Sequence, residues 1–149
     1  LFPSFCGRLV GTALLASSLM GCNYTTSVTN SEEDRKPAEL VTDSFLMNQK
    51  QGRRDANLRL FGEEMWETTS REKVRQLWAR RDTLLGPLVH TELGPWQTQV
   101  VKGTNPSSNY VLQYKSKYAK GSALETFTLE READDSIKIV GYNISLDAL

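Results

Sequence analysis

The sequence predicts an α+β domain in which N-terminal helices pack on a curved four-stranded antiparallel sheet. Two observations carry that expectation. From Pro37 to Leu85 apolar residues recur at helical spacing, and beyond Gly86-Pro87 they alternate with polar ones to the end of the chain. Helices first and a meander afterward place the helices on one face of the sheet and leave the other solvated.

The first segment, residues 1–21, has the character of an export signal. Arg8 precedes an apolar stretch from Leu9 to Met20, too short to span a bilayer. Its ending, Leu19-Met20-Gly21-Cys22, resembles the lipobox of bacterial lipoproteins. That resemblance implies cleavage before Cys22, a diacylglyceryl thioether on its sulfur and a membrane partner reached through the lipid. Asn23, where an Asp would retain the protein at the inner membrane, implies an outer-membrane address facing the periplasm. Cys6 would leave with the signal and Cys22 would be alkylated, so no thiol remains for a disulfide, a metal or a nucleophile.

Residues 22–36 read as a lipidated flexible tether, polar and without apolar periodicity, with a reach of roughly 20 Å. Residues 37–149 then form a single domain. Pro37 suits a first helical turn, and Ala38, Val41 and Phe45 share a face until Gly52. A second helix is expected from Asp55 through Phe61, extended by Met65. Thr69 and Glu72 form the capping box of a third, whose stripe of Val74, Leu77, Trp78, Leu84 and Leu85 is broken only by Arg81.

Four strands follow. The first covers Val89 to Lys102 with a bend at Gly94-Pro95. The second alternates Tyr110, Leu112, Tyr114, Ser116 and Tyr118 on one face, and Lys120-Gly121 turns the chain into the third, where Ala123, Glu125, Phe127 and Leu129 share a face. Asp134-Asp135 leads into the fourth, Ile137 to Leu146.

Leu85-Gly86-Pro87, Tyr110-Val111-Leu112-Gln113-Tyr114, Glu125-Thr126-Phe127-Thr128-Leu129 and Val140-Gly141-Tyr142-Asn143-Ile144 together resemble the exported bacterial domains of domain-of-unknown-function family 4019. More loosely they are similar to the nuclear-transport-factor-like, or cystatin-like, α+β cone. The resemblance covers Ala38 to Leu146 and implies a fold and a location. It carries no catalytic residue to any position of this chain.

Composition narrows the chemistry. Eighteen basic and eighteen acidic residues leave no net charge, and hence no footprint for nucleic acid. The pairs Arg53-Arg54 and Arg80-Arg81, flanked by acidic residues, read as solvated helix faces. His90 is the sole histidine, so no transition-metal site and no cofactor are expected. No Ser lies in a nucleophile-elbow context and no Gly-rich phosphate loop is present. The leading expectation is therefore a non-enzymatic envelope lipoprotein that binds a protein or envelope material. A second reading is a carrier or sensor of small apolar ligands, with Tyr110, Tyr114, Phe127 and Tyr142 lining a cone-shaped pocket. A third is an isomerase or dehydratase with Asp43 or Asp55 as base and a tyrosine as acid.

Overall fold

The computed structural model describes residues 25–146; the expected signal at 1–21 and the lipidation residue Cys22 lie outside them. Strand β1 (Thr25–Thr29) leads into helix α1 (Glu32–Lys50). A 3₁₀ segment (Arg54–Arg59), a short helix α2 (Glu63–Thr68) and helix α3 (Arg71–Leu85) follow. Strands β2 (Leu88–Gly103), β3 (Ser107–Tyr118), β4 (Gly121–Arg131) and β5 (Ile137–Leu146) complete the chain. The class is α+β, and the sheet has five strands, not four, in the order β1-β2-β3-β4-β5 with every neighbour antiparallel.

The extra strand corrects the expected tether, because Thr25–Thr29 pairs with β2 from Gly103 to Gln99. Asn30 then turns the chain at φ 54°, and its side-chain oxygen accepts from the Thr98 N–H at 3.2 Å while its own N–H donates to the Thr98 carbonyl at 2.9 Å. The Ser31 N–H donates to Thr98 Oγ1, and Ser31 Oγ in turn caps α1 by accepting from the Asp34 N–H. Arg35 lies over the Trp96 ring at 4.8 Å, fastening the first turn of α1 to β2. Polarity hid this strand: an edge strand with mostly exposed side chains can be built from Thr and Ser, whose branched or short side chains suit a pleated surface. Pro37 is accordingly the sixth residue of α1, not its first turn.

The second predicted helix is divided. Leu60 to Gly62 runs beside β5, with Ile139 N–H donating to the Leu60 carbonyl and Gly62 N–H to the Ile139 carbonyl, each at 2.9 Å. Gly62 suits this approach, since a Cβ there would lie 2.6 Å from Glu132 Oε1 and 3.0 Å from Lys138 Cβ. Ser70, one residue beyond the expected Thr69, caps α3 by accepting from the Lys73 N–H. The predicted bend in β2 is a register shift between Leu93 and Trp96.

Phe45 of α1, wholly buried, is the hub of the core. Its ring centroid lies 5.1 Å from Phe127, 5.2 Å from Tyr142, 5.9 Å from Trp78 and 6.0 Å from Phe61. The helices thus cover one face of the sheet, while His90, Glu92, Lys115 and Lys117 stand exposed on the other.

Candidate functional site

The residues expected to line a pocket are brought together only in part, and as packing. Tyr114, Phe127 and Tyr142 form a continuous set of rings, with Phe127 5.8 Å from Tyr114 and 5.1 Å from Tyr142, and Phe45 packs against the latter pair. Tyr110 is buried toward the other end of β3, its hydroxyl accepting from Arg131 at 3.4 Å. The Tyr114 hydroxyl meets Thr42 Oγ1 at 2.7 Å; burial, helped by the charges of Asp43 and Glu39, pushes its phenol up to about 12.

Beneath these rings lies a polar relay that alternation alone does not reveal. Glu125, with no exposed surface, accepts from the Tyr118 hydroxyl through Oε1 and from the Tyr142 hydroxyl through Oε2, each at 2.6 Å. Gln49 donates to Tyr118 at 2.6 Å and accepts from Arg81 at 2.8 Å, an orientation fixed because arginine can only donate. Arg81 also donates to Asp82, which pairs with Arg54 at 2.7 Å. Burial raises the phenols of Tyr118 and Tyr142, and the Glu125 carboxyl raises them further. Burial opposes the Arg81 charge, but the oxygens of Tyr142 and Tyr118 with the Asp82 carboxyl hold the guanidinium above its usual value. The sequence does mark the relay, because Arg81 interrupts an apolar stripe and Glu125 occupies a core-facing position of β4. The reading of Arg80-Arg81 as a solvated face is corrected: only Arg80 is exposed, and Arg81 is buried because the stripe of α3 turns it to the sheet, where Gln49 and Asp82 accept from it.

As arranged, the relay fastens α1 and α3 to β3, β4 and β5. Both Glu125 oxygens are engaged, so the group orients two tyrosines inside the core. Asp43 and Asp55, the carboxylates considered as bases, are both exposed, which removes the closed apolar pocket that their role required. Partial burial, then the Glu39 charge, raises the Asp43 carboxyl. Asp43 shares an open groove of about 270 Å³ with exposed His90, and among the described residues no hydrogen bond joins the two.

A second convergence lies at the surface. The turn at Gly52 and the start of the 3₁₀ segment face the middle of α3 across a cleft of about 540 Å³, walled by Arg53, Arg54, Asp55, Arg75 and Trp78. Arg54 is held by Asp82, Arg75 by Asp55 at 3.0 Å, and Arg53 by the Asn48 side-chain oxygen at 3.1 Å. Sequence reasoning saw Arg53-Arg54 alone; Arg75 lies about twenty residues away and joins them only through the packing of α3.

Among the described residues no three His, Cys, Asp or Glu side chains gather to hold a metal ion, and no helix is long and apolar enough to cross a membrane. No family model matches the sequence, and no curated protein or solved structure is significantly similar to it.

Proposed function

We propose that the chain is an exported envelope lipoprotein, lipidated at Cys22 and held at the outer membrane facing the periplasm, whose domain is a non-catalytic binding module. The cystatin-like or nuclear-transport-factor-like cone, and kinship with domain-of-unknown-function family 4019, belong to the same proposal. The observation that supports the non-catalytic reading best is the filled space between the helices and the sheet. Phe45 packs where a pocket would open, and the acid and phenols of Glu125, Tyr118 and Tyr142 bond to one another instead of to a vacant site. Chemistry-bearing groups that remain reachable lie outside, on the uncovered sheet face and in the arginine-walled cleft.

Metabolic labelling with a clickable palmitate, followed by membrane fractionation and affinity capture from solubilised envelopes, tests it. Wild-type protein should take label, sediment with outer membranes and bring down a partner, and Cys22→Ser should stay unlabelled. Equal labelling of both proteins would remove the anchor; capture of nothing above background in several growth conditions would remove the binding module.

A further inference from the structure

We propose that the cleft between Gly52 and α3 binds the phosphate group of a small phosphomonoester. Arg53, Arg54 and Arg75 wall the cleft, and among the described residues these guanidinium groups are paired with the carboxyls of Asp55 and Asp82 alone, an excess of about one positive charge. A phosphomonoester near neutral pH carries about −1.5 to −2.

An arginine has five N–H donors, and here each is positioned through one edge: Arg54 through Nη1, Arg75 through Nε and Arg53 through Nη2. The remaining donors of three guanidinium groups suit three phosphate oxygens better than the two of a carboxylate. Asp55 is 78% exposed, so its bond to Arg75 is solvated and easily exchanged for a stronger acceptor.

Trp78, 1% exposed, lines the cleft as an apolar wall. Ala56 and Ala79 keep the remaining wall low, and the volume leaves room for an organic portion beyond the phosphate.

This inference rests on the binding-module reading but not on the anchor, so its failure and that of the lipid label are separate results. The test is calorimetry on the full chain in detergent micelles, with inorganic phosphate, glycerol 3-phosphate and succinate, and, after detergent removal, retention on vesicles with or without phosphatidic acid. Glycerol 3-phosphate should bind saturably, at least tenfold tighter than succinate and more weakly as salt rises. The double variant Arg53→Gln/Arg75→Gln should lose at least tenfold in affinity, and Lys115→Gln on the far sheet face should lose nothing. Retention on phosphatidic acid vesicles alone, abolished by the same double variant, would support the site with a lipid headgroup as the source of the phosphate. Binding of neither soluble phosphate nor phosphatidic acid vesicles, equal binding of succinate, or affinity unchanged in the double variant would overturn it.

Discussion

Glu125 shows how one polar residue can organise a core. A wholly buried carboxyl is costly unless its oxygens are satisfied, and here two phenols satisfy it at 2.6 Å. Glu125→Gln puts an amide N–H₂ opposite one hydroxyl that was donating, and Tyr118 already accepts from Gln49. Urea denaturation should show a loss of about 1–3 kcal/mol; an unchanged midpoint would mean that the relay contributes nothing to stability. Ser116 is the opposite case, a buried hydroxyl without a hydrogen-bond partner among the described residues. Ser116→Ala should be neutral or stabilising by up to about 1 kcal/mol, because it removes an unpaired polar group. A clear loss in the same denaturation experiment would show that the hydroxyl is engaged.

At the scale of elements, β1 depends on one side chain of its neighbour. Thr98 receives the Ser31 N–H on its hydroxyl and pairs through its backbone with Asn30, so it fixes where β1 ends and α1 begins. Thr98→Val keeps the shape and removes the acceptor. Native-state hydrogen exchange should then speed up at Ser31 and along Thr25–Thr29, with a global loss of about 1 kcal/mol; unchanged exchange would show that strand pairing suffices. Gly62→Ala should lower stability by about 1–3 kcal/mol in thermal or urea unfolding, because Lys138 Cβ is fixed by β5 and cannot withdraw as a long side chain could. Stability equal to wild type would show that the Leu60–Gly62 segment moves freely off β5. These two places also separate what was legible in the sequence from what was not. Strands β3 and β4 follow from alternation, because one buried face imposes period two, and the β2 bend follows from Gly94-Pro95. Strand β1 shows little apolar face, and the break at Phe61 is set by pairing with a strand nearly eighty residues later. Local pattern cannot report a contact made at that distance. The same limit hid the candidate cleft, whose arginines come from two segments, while Arg81 and Glu125 were visible as polar residues at core positions.

For the whole molecule, the buried phenols set an alkaline limit. Tyr114 is raised from 10.0 to about 12, and Tyr118 and Tyr142 shift in the same direction. In the unfolded chain all three ionise near 10, so the native state holds more protons above that pH. Their contribution is complete below pH 10; that of Tyr114 is lost as pH rises from 10 through about 12, and those of Tyr118 and Tyr142, raised further, go on being lost above it. The urea midpoint should therefore hold up to about pH 10 and fall beyond it, with phenolate absorbance from these tyrosines emerging together with unfolding. Phenolate appearing well before unfolding would show that the hydroxyls are open to water. The position of β1 bears on the whole molecule in another way. Cys22 precedes Thr25 by three residues, which span about 10 Å even when fully extended. Thr25 is paired with Gly103, so a lipid on Cys22 would bring the β2–β3 turn at Thr104-Asn105-Pro106 close to the headgroups. Such a protein would stand on one corner of its sheet instead of drifting on a long leash. Every encounter would then take place in a layer no deeper than the domain itself, with the bilayer setting its angle of approach.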